Sequence, residues 1–209
     1  SLLPNLGLIL FFWKTIICYS MKIIYSILIL LTCGQSISAQ LTTNINWTMQ
    51  SSMSPQEVIY YNSEKKLSWR NFMATPPADN GPVAAITVSG FGYVADIKTS
   101  GNKGELNIRV YCYFNKNKSW VKPGKNTAYI LTHEQHHFDI SYIAASIFID
   151  KLQSAVFARS EINSRLQQIY QECIDAMDKM QNEYDAQTKN GQLREKQEEW
   201  SKRINSMLK

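Results

Sequence analysis

The alternation of apolar and polar residues in "ELNIRVYCYF", residues 105–114, sets Leu106, Ile108, Val110, Cys112 and Phe114 on one face and Asn107, Arg109, Tyr111 and Tyr113 on the other. A period of two is that of a half-buried β-strand. Upstream, "AAITVSGFGYVADIKT" reads as a second strand whose alternation breaks at Gly90-Phe91-Gly92, where a bulge or a close backbone approach is expected. "SGNKGE" should turn one strand into the other as a hairpin.

After "KPGKN" the apolar spacing changes to threes and fours. A helix is predicted from Thr127 to Arg159, with Ile140, Ile143, Ala144, Ile147 and Phe148 among its apolar positions. A second, Glu161 to Tyr184, aligns Ile162, Leu166, Ile169, Cys173, Met177, Met180 and Tyr184. A third, Gln192 to Leu208, carries Leu193, Trp200, Ile204 and Met207. Strands first and helices after predict a single α+β domain, with an N-terminal antiparallel sheet followed by three helices on one side of it.

The amino-terminal 39 residues fit neither pattern. From Met21 the chain reads "MKIIYSILILLTCGQSISAQ": a lysine, an apolar run and small residues before Gln40, the layout of a secretory leader. On this reading residues 1–20 are upstream translation, 21–39 are a signal peptide cleaved near Ala39, and 40–209 are the mature domain, secreted or periplasmic. Two rival readings are an uncleaved anchor over residues 6–32 and lipidation at Cys33, although Thr32 is atypical before a lipidated cysteine. No later segment reaches the roughly 18 apolar residues of a membrane span, so the mature domain is not expected to insert.

Removing residues 1–39 takes Lys14 and Lys22 from a formal net charge of +5 and leaves +3, too mild to imply a nucleic-acid partner. It also leaves Cys112 and Cys173 as a pair in an oxidising setting. Each lies on the apolar face of its element, so a Cys112–Cys173 disulfide is expected, with two separate buried thiols as the alternative.

Chemistry concentrates in one place. All three histidines fall in "HEQHH", residues 133–137. His133, Glu134 and His137 spell HExxH, and residues four apart on a helix are about 40° apart around the axis and one turn above each other. Both imidazoles can therefore aim at one point, as half of a tetrahedral zinc site. Glu134, about 100° from His133 by the same helical period, stays near the metal without ligating it, where it can collect a proton from an activated water. Peptide hydrolysis is the natural outcome. His136 faces elsewhere and is expected to support or pack.

No fourth histidine exists, and the longer motif with a further glycine and histidine is excluded because Ile140 and Ile143 occupy those places. Asp139 is on the wrong side of the helix. The third ligand is therefore expected to be a carboxylate from the second helix or its end, with Glu172, Asp175, Asp178, Glu183 and Asp185 as candidates, or failing that a carbonyl or hydroxyl group.

"LTHEQHHFDI" resembles the HEQGHFDI signature of a bacterial family of predicted secreted zinc-dependent proteases, catalogued as a domain of unknown function. "LSWRNFMATPPADNGPVAAITVSGFGY" is similar to its entry motif and "YDAQTKNGQLREKQEEW" to its closing motif, so the resemblance spans about residues 67–200. It implies zinc ligation by His133 and His137, with Glu134 as base. Its tyrosine-aspartate pair falls on Tyr184 and Asp185, which makes Asp185 the expected third ligand. Tyr184 becomes an expected donor to the oxyanion, with core packing as the alternative. Two departures stand out: His136 replaces a glycine, and Asn190 replaces a histidine that would itself be a ligand candidate. The expected function is an exported zinc metallopeptidase acting on peptides or proteins. The alternatives are a zinc amidase or esterase and a non-catalytic binding module at the cell envelope.

Overall fold

The computed structural model describes residues 41–78, 81–101 and 103–208. The expected leader, the cleavage site expected near Ala39 and Cys33 lie outside the described residues. The elements are β1 (Leu41–Trp47), β2 (Val58–Tyr60), a 3-10 turn (Trp69–Asn71), β3 (Ala85–Ile86), β4 (Ser89–Ser100), β5 (Lys103–Asn115), β6 (Trp120–Val121), α1 (Ala128–Ser154), α2 (Ile162–Thr188) and α3 (Arg194–Met207).

β5 is the spine of the main sheet. β4 pairs antiparallel along its length, while β1 and β2 share its other edge. The face predicted to be apolar is the core face: Leu106, Ile108, Val110 and Phe114 are fully buried and Cys112 nearly so. The hairpin forms as expected, with Gly101 at φ +58° in its turn. β3 and β6 make a separate two-stranded sheet.

One expectation about the sheet needs correction. The sheet is mixed, because β1 runs parallel to β5, from Leu41 opposite Gly104 to Trp47 opposite Val110. A parallel neighbour requires a long return connection, here the chain from β2 through β4, and local alternation carries no trace of it. Of the two explanations for the β4 glycines the close approach holds and the bulge does not, since the register runs without a break through Gly90, Phe91 and Gly92. A Cβ on Gly92 would lie 2.6 Å from the Tyr111 hydroxyl, so glycine there makes room for the cross-strand tyrosine ring.

α1 is the central layer. The sheet covers one side of it, and α2 and α3 pack against it as well. Phe138, Ile140, Ala145, Phe148 and Leu152 fill its core positions. Thr127 caps its start, its side chain accepting from Ile130 N. It ends at Ser154, five residues before the predicted limit, whereas α2 continues to Thr188 and so takes in Asp185.

The expected Cys112–Cys173 disulfide is absent: both are free, buried thiols. Cys112 faces the core near Tyr61 and Asp139, and burial, with help from the Asp139 charge, pushes its thiol well above the ordinary value. Cys173 lies on α2, which packs mainly on α1, near Lys151 and Glu172. Two apolar faces that each bury a cysteine need not bury it against the other.

Candidate metal centre

The HExxH turn of α1 is held from several directions. Thr87 Oγ1, between β3 and β4, donates to the Glu134 carbonyl at 3.1 Å, and Ser89 Oγ, at the start of β4, donates to the His137 carbonyl at 3.3 Å. From α2, Gln181 Nε2 donates to the His137 carbonyl at 2.9 Å and Tyr184 Oη to the His133 carbonyl at 3.4 Å. Little freedom is left to the helix that presents the histidines.

His133 Nε2 and His137 Nε2 lie 3.3 Å apart, and Asp185 Oδ1 sits 3.2 Å from the first and 3.1 Å from the second. A tetrahedral ion with bonds of about 2.0–2.1 Å needs donors about 3.3–3.4 Å apart, so these spacings match its edges. Tautomers strengthen the match. His133 Nδ1 faces Gln197 Oε1 at 2.9 Å, and His137 Nδ1 faces Gln181 Oε1. Both amides are oriented by their own donations, from Gln197 Nε2 to Tyr184 Oη and from Gln181 Nε2 to the His137 carbonyl. Their oxygens therefore accept from the imidazoles and each Nδ1 carries a proton, so that Nε2 of each ring is the nitrogen left to face Asp185 and to offer a lone pair to a metal.

Two ring nitrogens and a carboxylate oxygen this close repel one another unless a proton or a metal ion lies between them. Among the described residues, His133, His137 and Asp185 form a group of side chains that could hold a metal ion. Two imidazoles and a carboxylate are a donor set suited to zinc. The charges show the same tension. Burial pushes His137 down, but the hydrogen bond to Asp185 and the charges of Glu134 and Asp185 outweigh it and hold the imidazole above its ordinary value. Asp185 would be raised by burial, yet the two histidines hold it well below the usual carboxylate range.

Of the five acidic candidates for a third ligand, Asp185 is the one that reaches the histidines. Glu172 instead pairs with Lys151. Asp185 lies in the last turn of α2, where the Asn190 amide caps its backbone carbonyl at 2.9 Å. The chain then reverses through Lys189, Asn190 and Gly191, all with positive φ. Gly191 suits its place through φ +77°, and a Cβ there would crowd the His133 ring at 3.2 Å. Asn190 lines the cleft beside the centre.

Glu134 is 3 % exposed, and its Oε2 has no hydrogen-bond partner. It lines a cleft of about 320 Å³ together with His133, His137, Asp185, Tyr129 and the stretch from Val83 to Ser89. Tyr184, expected as an oxyanion donor, is placed otherwise. It is fully buried, its hydroxyl is held between Gln197 and the His133 carbonyl, and its ring stacks on His133 at 4.6 Å. Burial pushes its phenol far above the ordinary value. Its place is behind the centre, as a support for His133.

Gln181 and Gln197 were not singled out by the sequence reasoning. A lone glutamine on a polar helix carries no signal, although Gln197 falls inside the closing motif that carries the resemblance. His136 turns away from the cleft, as expected, to Asp139 and Ser201.

Residues 117–192, from the loop after β5 to the turn beyond α2, match a family described as "Bacterial protein of unknown function (DUF922)". That span includes both histidines, Glu134 and Asp185. No curated protein and no solved structure matches the chain.

Proposed function

We propose that the protein is an exported zinc-dependent metallopeptidase, with His133, His137 and Asp185 as ligands and Glu134 as general base. The observation that carries this reading is the convergence of three acceptor atoms, 3.1–3.3 Å apart, beside a buried carboxylate oxygen that has no partner. A site that only stored metal would have no use for that oxygen.

Zinc bound there would supply Lewis-acid polarisation of a carbonyl and acidify a nearby water. The chain's own groups do the rest. Gln181 and Gln197 keep both imidazoles in the tautomer that ligation needs. Glu134 Oε2, shielded from bulk solvent, takes a proton from the attacking water and returns it to the departing amine nitrogen. The stretch from Val83 to Ser89 forms one wall of the cleft in which a peptide would lie. β5 cannot receive the peptide as an added strand, because both of its edges are already paired. Export rests on the leader-like stretch from Met21.

The test compares wild type with Glu134→Gln after zinc loading. Both should bind one zinc per chain, and the variant should cut a quenched-fluorescence peptide library about 10³-fold more slowly. Zinc binding without any hydrolysis in wild type would favour a binding module, and failure to bind zinc would leave the cluster as scaffold.

A further inference from the structure

Among the described residues two buried side-chain polar atoms lack a hydrogen-bond partner: Oε2 of Glu134 and the phenol oxygen of Tyr129. Both residues line the cleft that holds His133, His137 and Asp185. Buried polar atoms without partners are rare, and one explanation is a ligand that supplies the missing bond. Here the two orphans are complementary, since a carboxylate oxygen accepts and a phenol donates.

Tyr129 lies in the first turn of α1, four residues before His133, so the helical period sets it one turn away on nearly the same face. The Arg194 guanidinium, opening α3, lies 4.7 Å from the centre of its ring, a cation–π contact that holds the ring in place while leaving the hydroxyl uncommitted. Tyr184, the other tyrosine beside the histidines, has its hydroxyl engaged on both sides.

We propose that Tyr129 is a second catalytic residue, whose phenol O–H donates to the scissile carbonyl oxygen as negative charge develops on it. The proposal rests on the peptidase reading. In the step, the water oxygen bonds to the carbonyl carbon, one water proton passes to Glu134, and the C=O electron pair moves onto the oxygen that Tyr129 holds. When that pair returns, the C–N bond breaks, the amine takes the proton from Glu134, and an acid and an amine leave. Tyr129 keeps its proton throughout. Its contribution is a hydrogen bond that is stronger in the transition state than in the ground state.

The test uses the zinc-loaded full chain and Tyr129→Phe, which keeps the ring and the Arg194 contact and removes one oxygen. A dipeptide phosphonate mimics the developing oxyanion, whereas a dipeptide thiol grips the metal without such an oxygen. The variant should retain its zinc, cleave the fastest-cut member of the peptide library on the order of 100-fold more slowly, and lose phosphonate affinity but not thiol affinity. Unchanged cleavage and phosphonate binding would overturn the assignment and leave the peptidase reading intact. Equal loss of both inhibitors would also overturn it, by making the residue structural. A zinc-loaded wild type that cuts no peptide and binds no phosphonate would bring down the peptidase reading itself, and this proposal with it.

Discussion

α1 carries two polar clusters on different sides, and they differ in whether their bonds close. Behind the helix, Asp139 accepts from Tyr61 at 2.9 Å, Gln135 at 3.0 Å and His136 at 3.2 Å, with Lys66 at 3.6 Å. Gln135 Oε1 accepts from the Leu67 amide at 2.7 Å, and His136 Nε2 meets Ser201 at 2.9 Å. Donors and acceptors alternate, and the cluster ties α1 to α3 and to the loop after β2. In front of the helix, two ring nitrogens and a carboxylate oxygen converge on a point that only a proton or a metal ion can bridge, and Oε2 of Glu134 stands alone. Residues of the same types, a turn apart on one helix, make a closed network on one side and an open site on the other. Polar composition does not separate scaffold from chemistry; the balance of donors and acceptors does.

The comparison can be broken by removing one member from each side. His133→Ala or His137→Ala should abolish stoichiometric zinc binding, measured by elemental analysis. The loss should exceed the roughly 10–100-fold that an outer hydrogen bond is worth, while the fold survives. Asp139→Ala should do the opposite. It leaves His136 and Gln135 buried without their acceptor, so stability should fall by about 3 kcal/mol in denaturant unfolding while the folded fraction still binds zinc. Equal loss of zinc in both variants would mean that the two clusters are one unit.

A smaller effect sharpens the front cluster. Gln197→Ala removes the acceptor that fixes the His133 tautomer, and zinc affinity should fall about tenfold, towards the low end for such contacts. A chelator competition would measure it, and no change would show that the tautomer needs no fixing.

Acid should separate the clusters last and most gently. The imidazole of His137 is held above its ordinary value of 6.5, so its contact with Asp185 stabilises the zinc-free protein fully below that value and fades as pH rises through the raised one. Proton and zinc then compete for the same lone pair, and zinc uptake should release more protons at pH 6 than at pH 8. For Asp139, burial raises the carboxyl but His136, Lys66, Gln135 and Tyr61 outweigh it, and it is held below its ordinary value of 3.8. Its contribution is present above that value and lost as pH falls through the lower one. At pH 5 the chain should therefore remain folded with weakened zinc affinity, which calorimetry in buffers of different ionisation enthalpy and circular dichroism would check together.

Much of this was legible beforehand. The buried face of β5 followed from a period of two, and the three helices from a period near 3.6. The direction of β1 was not legible, because it depends on a partner far along the chain. The cysteines misled because burial is a property of one residue and bonding a property of two. In the sequence Asp185 is one of several acids; in the fold α2 continues through it to the histidines, and the turn at Gly191 brings α3, with Gln197, back to His133.

The sequence by itself determined that His133 and His137 share an aim and that Glu134 stands beside them, because helix geometry is local and needs no partner. Only the tertiary structure decided which carboxylate meets them, which amides hold their tautomers and which tyrosine lines the cleft with its hydroxyl unpaired. Those choices depend on how α2 and α3 pack across α1, and that packing is set by side chains far apart in sequence filling one core.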